Sequence, residues 1–324
     1  MTCAICVDKP GGPEALIYKE ITVGDPAANE ALIRHTAIGL DFIDIYHRTG
    51  LYPVPAPFIP GLEAAAIVEA VGSGVKGLSV GDRVCYPAGP LGSYSQARTI
   101  AADRLVKIPD SLSDKDTAAI MLKGCTVEYL IHRTYKVHAG DTVLFHAAAG
   151  GVGLLACQWL NALGATVIGT VGSDEKAALA KKNGCHHTIN YTDENFEERV
   201  KDLTKGKGVP VVFDSVGKDT FMGSLNCLQP RGTMVTYGNA TGPVPNFNPA
   251  LLNQMGSIYI TRPSLMHYVA SRDDLELSTS RVFDAVKTGA IKVSLNQSFA
   301  LKDANIAHKT LEARKTTGQS ILIP

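Results

Sequence analysis

The chain lacks any long apolar run. Nowhere in its 324 residues does a stretch approach the ~18 apolar side chains of a membrane-spanning helix. Its first residues show no basic segment followed by an apolar core, so no secretory signal is expected and the cytoplasm is the expected compartment. Net charge is also lacking: 31 basic and 31 acidic side chains cancel, which removes the electrostatic case for nucleic acid or an anionic membrane as partner. There is no disulfide framework. The seven cysteines, at 3, 6, 85, 125, 157, 185 and 227, are odd in number and scattered, as expected in a reducing compartment. Cys3 and Cys6 have the spacing of a redox pair but fall in a predicted strand, where positions three apart face opposite ways. Metal motifs are missing: there is no four-cysteine loop and no His-x-x-x-His, and His186-His187 reads as a loop-to-strand junction. Neither an internal repeat nor a low-complexity segment is found, and no Ser/His/Asp nucleophile pattern.

What is present is a glycine turn in a telling context. Thr142-Val143-Leu144-Phe145 predicts a buried parallel strand. Ala147-Ala148-Ala149-Gly150-Gly151-Val152-Gly153 follows, and Leu154–Leu160 then has helical apolar spacing. Strand, glycine turn and helix in that order form the setting of a dinucleotide fingerprint. Gly150 gives backbone access to a pyrophosphate, Gly153 lets helix and strand approach, and the helix N-terminus favours an anion. Ala148 stands where the first glycine is usual, and a turn of this kind also occurs as simple packing. The flanks add weight. Strands are predicted at 166–170, 187–189, 209–214, 232–237 and 257–260, alternating with helices at 174–183, 195–204 and 220–227. This alternation implies a doubly wound parallel sheet with right-handed crossovers.

Residues 1–120 differ in kind. They are rich in glycine and proline, with short alternating runs at 31–38 and 64–71 and turns at 11–13, 72–74 and 81–82, the pattern of an antiparallel, barrel-like β domain. After the sixth strand come a predicted helix at 272–287, a strand at 291–293, a helix at 303–313 and a last strand at 320–322. These are too few for a third domain and are assigned to the first. The nucleotide-binding part then becomes an insertion, with a cleft expected between the two parts.

Several strings resemble the zinc-free quinone oxidoreductase branch of the medium-chain dehydrogenases/reductases, the group that includes zeta-crystallin. They are 37–44, Arg48-Thr49-Gly50-Leu51-Tyr52-Pro53, Gly81-Asp82-Arg83-Val84, 146–153, 169–173, 213–217, Tyr237-Gly238-Asn239 and 261–265. The resemblance spans essentially the whole chain and is nearest to the bacterial NADPH:quinone reductases. It implies a GroES-like β-barrel catalytic domain over 1–123 and 265–324 and an inserted Rossmann domain, a doubly wound parallel sheet, over 124–264. It also implies cofactor contacts from Phe42, Ile43, Tyr46, Tyr129, Gly150, Gly151, Val152, Gly153, Gly172, Ser173, Ser215, Gly238, Asn239, Ser264 and Leu265, with Lys176, Tyr191 and Arg314 around a 2′-phosphate. A homodimer is implied, paired through the apolar edge Ser257–Ile260. Zinc members of the superfamily carry a cysteine near Gly39–Asp41 and a histidine between a glycine and a glutamate. Here Asp41 and Leu62 stand in those places, and leucine cannot ligate zinc, so no metal is expected. Relatives in this branch usually have asparagine where Asp41 stands. Glu63 and Asp82 remain as carboxylates in that domain, most simply as structural acids.

Cofactor choice has its own argument. NAD enzymes place an acid about 20 residues past the glycine turn, at the tip of the second strand. Here that strand ends Thr170-Val171-Gly172-Ser173, without an acid, and NADPH is expected, although Asp174 and Glu175 follow at once and read as first-turn acids. Hydride transfer to a quinone asks mainly for positioning in a dry pocket, and the product oxygens can take protons from solvent. Tyr46, Tyr52 and Asp41 are the candidate catalytic residues, with Tyr129 as a further pocket aromatic; the tyrosines can also be read as packing. Two rival functions stay open: reduction of activated C=C bonds in enones, and an RNA-binding or structural role of the crystallin type.

Overall fold

The computed structural model describes residues 2–244 and 246–324, in two compact units. One comprises the chain up to Cys125 with Val269–Lys287 and Val293–Pro324; the other comprises Thr126–Tyr268 with Thr288–Lys292.

The second unit is a six-stranded sheet. Its order is His187–Asn190, Thr166–Val171, Thr142–Phe145, Val209–Asp214, Leu228–Thr236, Tyr259–Thr261, and every pair is parallel. Numbered along the chain this is 3-2-1-4-5-6, the doubly wound order of a Rossmann domain. Helices cover both faces, so the strands read as near-continuous apolar runs: Val211, Val212 and Phe213 are all fully buried. Leu144, Ile168, Ile189, Val212, Phe221 and Met234 lie in one core. The last strand starts at Tyr259 rather than 257, because Ser257 adopts a left-handed backbone (φ 58°) that no ladder accepts.

In the first unit the strand Glu30–Gly39 is central. It pairs antiparallel with Ala64–Val71, with Ala97–Ala101 and with Gln319–Ile323. Arg83–Tyr86 and Val106–Lys107 extend the sheet on one side, Leu295–Ala300 on the other. The C-terminal segment thus completes a sheet begun near the N-terminus: Ile321 pairs Gly39 and Leu322 pairs Ile38. Ile5, Ile33, Ile38, Val84, Tyr86, Ile100 and Leu322 fill the core.

Three expectations need correction here. The region 1–120 is not purely β: Phe42–Thr49 and the start of Asp114–Tyr129 are helical. The second was hidden because it carries no apolar stripe. The sheet is not wholly antiparallel, since Leu295–Ala300 runs parallel to Gln319–Ile323. Residues 291–293 form no strand. The backbone of Lys292 is instead taken up by the Gln158 amide, its N–H donating to Oε1 at 2.7 Å and its carbonyl accepting from Nε2 at 3.4 Å.

Candidate functional site

In the second unit, Thr142–Phe145 ends where the sheet order reverses, the position at which open α/β sheets bind ligands. A buried polar network supports the turn that follows. Asp214 Oδ1 accepts from the N–H of Val216 (2.7 Å) and Gly217 (3.1 Å), and Oδ2 accepts from the hydroxyls of Thr220 (2.7 Å) and Ser224 (3.0 Å). His146, fully buried, bridges Ser224 Oγ and Thr170 Oγ1 at 2.9 Å each. Burial holds its pKa below the usual histidine value, and a neutral ring suits a link between two hydroxyls. Ala148 N–H then donates to Thr170 O at 3.0 Å, stitching the turn to the second strand.

Gly150 and Gly153 do different work in this turn. A Cβ on Gly153 would run into the Ala147 carbonyl oxygen and lie 2.7–2.8 Å from the backbone of Ala148. Gly153 therefore sets how closely the helix Gly151–Ala162 sits on the turn. A Cβ on Gly150 would meet only the Ala147 carbonyl, at 3.2 Å, and Gly150 has an ordinary extended backbone (φ −78°). Its missing side chain leaves open space at the positive end of the helix dipole, an anion cradle that also includes Gly151 and Val152.

The tip of the second strand is uncharged. Ser173 caps the helix Asp174–Lys182, its Oγ accepting from Lys176 N–H at 3.3 Å. Its hydroxyl also holds the Glu175 carboxyl below its usual range, and Asp174 Oδ1 accepts from Asn190 Nδ2 at 3.3 Å. The two acids that complicate the sequence reading are thus engaged by neighbours. Tyr191 stands over the tip: a Cβ on Gly172 would lie 2.6 Å from its hydroxyl. Ser215 and Gly238-Asn239 follow the fourth and fifth strands, joined by Ala240 N–H to Ser215 O at 3.2 Å. Arg262 donates to Gly238 O at 3.3 Å. Tyr129 is buried and stacks on Tyr268 with centroids 4.5 Å apart, and Arg133 covers Tyr268 at 5.0 Å. Ser264 and Leu265 open the short helix that carries Tyr268.

In the first unit, Asp41 caps the helix Phe42–Thr49. The helix and the loop after it form an aromatic wall: Phe42 to Tyr46 is 5.8 Å between centroids, Tyr46 to Tyr52 5.1 Å. Ile43 lies beside them, half-buried. Arg314, also of this unit, follows the helix Ala304–Glu312 in a left-handed conformation (φ 56°).

Asp41 does not stand alone. Lys123 Nζ lies 2.7 Å from Asp41 Oδ1 and 3.1 Å from Glu63 Oε1, and all three side chains are buried. Glu63 Oε2 accepts from Leu122 N–H at 2.6 Å. Burial pushes the Glu63 pKa well above the carboxylate range, Lys123 opposing and Asp41 reinforcing the shift. Burial also disfavours the Lys123 ammonium, but the two carboxylates outweigh it and hold its pKa above the lysine range. Asp44, one turn on, is pushed up to about 8 by burial and by the charge of Asp41. Its Oδ2 accepts from Asp41 N–H (3.0 Å) and Tyr94 O–H (2.9 Å), which leaves the buried Oδ1, without a partner, to carry the proton. Beyond Tyr94 the network continues to His308 Nε2 at 3.0 Å, and from His308 Nδ1 to Arg48 Nη1 at 3.3 Å. Arg48 donates twice to Glu312, at 2.6 and 3.1 Å. Since arginine can only donate, His308 Nδ1 accepts and Nε2 carries the hydrogen.

Sequence reasoning named Asp41 and Glu63 but missed Lys123, Asp44, Tyr94, His146, Asp214 and His308. One signal was available: Lys123 interrupts the run Ala118-Ala119-Ile120-Met121-Leu122, and a lone lysine in a buried stretch requires a partner.

Residues 27–110 match the alcohol dehydrogenase GroES-like domain family, and residues 151–278 the zinc-binding dehydrogenase family. The chain is 51% identical to a quinone oxidoreductase of Salmonella typhimurium, with 100% of both sequences covered. It is 46% identical to a 2-haloacrylate reductase of a Burkholderia species, covering 100% of this chain and 99% of that one. It superposes on the crystal structure of Escherichia coli quinone oxidoreductase complexed with NADPH with a TM-score of 0.98, at 50% identity and full coverage of both chains.

The zinc in one of these family names does not fit the residues present. Leu62 offers no donor atom, and the Asp41 carboxylate is engaged by the Lys123 ammonium at 2.7 Å.

Proposed function

Because the chain belongs to the quinone oxidoreductases of the medium-chain dehydrogenase/reductase superfamily, we propose that it reduces a quinone with NADPH and without a metal. The observation that carries this reading is the uncharged second-strand tip, with Gly172 and Ser173 facing Tyr191, next to the open cradle at Gly150. The residues fit a phosphorylated dinucleotide: the cradle suits the pyrophosphate, and the tip has no acid to repel a 2′-phosphate. NADPH, when bound, supplies the hydride. The protein's share is to bind and orient: Gly150–Gly153 take the pyrophosphate, Ser173, Lys176 and Tyr191 the 2′-phosphate, and Phe42, Tyr46 and Tyr52 offer flat faces to a planar acceptor.

A second reading, reduction of activated C=C bonds, is favoured by the 46% identity to a 2-haloacrylate reductase. An acceptor screen with NADPH and NADH side by side separates the two. The expected result is NADPH oxidation by simple quinones, with NADH far slower; turnover of enones or haloacrylates but of no quinone would install the second reading.

The assembly we expect is a homodimer, because Tyr259–Thr261 is a sheet edge with Tyr259 61% exposed. A monomer at micromolar concentration in sedimentation would refute it. Among the described residues no helix is long and apolar enough to cross a membrane. The seven free thiols support a cytoplasmic location.

A further inference from the structure

The first unit holds a cavity of about 600 Å³, the size of a small-molecule site. Its walls come from three stretches of chain: the end of the strand Ile17–Ile21 with the residues after it, the loop 54–59, and the segment 91–99. Ile21, Val23, Val54, Phe58, Ile59 and Leu91 give it a half-buried apolar lining. None of the residues proposed for the cofactor or the quinone lines it. One side chain is out of keeping with these walls. Arg98 lines the cavity partly buried, and among the described residues no carboxylate lies within ion-pair distance of its guanidinium. The fold fixes where that cation sits. Its Nε–H donates to Thr99 O at 3.2 Å and its Nη1–H to Pro90 O at 2.9 Å, and the guanidinium lies 5.9 Å over the Tyr86 ring. Gly92 makes room for it, since a Cβ there would stand 2.7 Å from Nη1. Both hydrogen bonds go to neutral carbonyls and neither uses Nη2. A cation partly withdrawn from water without a counter-ion is costly, and an arriving anion relieves that cost.

The other ionisable groups nearby do not supply that anion. Lys19 is a second cation of the cavity, already paired with Asp8 at 2.9 Å. Cys6 is buried, and burial pushes its thiol up, so it stays neutral. His35 and Tyr86, close enough to feel the guanidinium, are neutral too: burial lowers the His35 pKa to about 4 and raises that of Tyr86 to about 12. One positive charge is left over, which matches a monoanion better than a phosphate dianion. We propose that this cavity binds a monocarboxylate with an apolar body, the carboxylate on the free Nη edge of Arg98 and the body along the apolar walls. A carboxylate fits the planar fork of an arginine, and the half-buried lining offers contact area to a hydrocarbon chain or ring. The site is independent of the quinone reading, because binding is measured without turnover.

Octanoate is the probe for the test. Calorimetric titration of the native protein should show one saturable site per chain, with the same affinity in the presence and absence of saturating NADPH. Octanamide, the same body without the charge, should bind about tenfold or more weakly, the worth of one charge-assisted contact. Octyl phosphate should bind no tighter than octanoate. Arg98→Gln should weaken octanoate by about tenfold or more and leave octanamide unchanged. Arg98 also holds two carbonyls, so Val54→Trp supplies an independent check: it fills the cavity, keeps the guanidinium and should block octanoate. Circular dichroism confirms the fold of both variants, and the comparison of octanoate with octanamide needs neither. Equal binding of those two probes by the native protein would reduce the cavity to an apolar dent and overturn the proposal. So would the absence of saturable binding at millimolar octanoate, or an affinity unchanged in both variants. Tighter binding of octyl phosphate would overturn the carboxylate assignment, and displacement of octanoate by NADPH would move it into the cofactor site.

Discussion

The two units bury polar groups in opposite styles. In the second unit, Asp214 gathers Val216, Gly217, Thr220 and Ser224, all within ten residues of it. That network closes on its own segment and reaches out through His146 to Thr170. In the first unit, one network joins Asp41, Asp44 and Tyr94 through His308 to Arg48 and Glu312, and Lys123 reaches back to Glu63. Apart from Asp41 and Asp44, which share one helix start, these partners are 50 to 264 residues apart in sequence. The first style builds a platform whose shape comes from backbone turns. The second builds a charge cluster whose protonation comes from the tertiary fold. Binding of a large polyanion suits the former, and control of a single proton suits the latter.

The sharpest break of this contrast lies within one turn. Gly153→Val should destabilise the protein by about 3 kcal/mol or more, since the side chain meets the backbone of Ala147 and Ala148, which cannot move aside without moving the strand. Gly150→Val should melt within about 1 kcal/mol of the native protein and yet bind neither NADPH nor NADH. Thermal unfolding and cofactor titration on the same two variants check both halves; equal loss of stability would merge the two roles.

Next in size is the 2′-phosphate contact. Lys176→Ala should weaken NADPH by roughly 1.5–3 kcal/mol, the worth of one charge-assisted hydrogen bond, and leave NADH nearly unchanged. Equal weakening of both cofactors in steady-state kinetics would remove Lys176 from the phosphate site.

The last effect belongs to the first unit and appears as a slope. Asp44 has a folded pKa of about 8 against an ordinary 3.8. The folded state therefore holds a proton that the unfolded chain has released. The contribution of this group is complete below the unfolded value and is lost as pH rises toward the folded value. Stability should fall between about pH 4 and 8 with a slope approaching ~1.4 kcal/mol per pH unit, and Asp44→Asn should flatten it. Denaturant midpoints across that range measure the slope; an unchanged slope in the variant would place the proton elsewhere.

The same contrast explains what could be read from residues alone. Thr142–Phe145, the glycines after it and the uncharged end at Val171 were legible, because each is a local pattern of apolar run, turn and missing acid. The second unit's strands followed from their continuous apolar character. Asp41 was noticed for its type, but its meaning depends on Lys123, which lies on a helix that carries no apolar stripe to betray it. Lys292 shows the limit from the other side. The segment Ile291-Lys292-Val293 has strand composition, yet a glutamine more than a hundred residues away takes its backbone hydrogen bonds.

The strand Glu30–Gly39 has a consequence for how the protein is made. Its partner at Ile38 and Gly39 is the strand Gln319–Ile323, while Thr126–Tyr268 fall wholly between the two. During synthesis the second unit can complete its parallel sheet while the first still waits for its closing strand. The unit that emerges first is the one that finishes last. Through that interval Ile38 and Gly39 present an unpaired edge of the kind on which nascent chains aggregate.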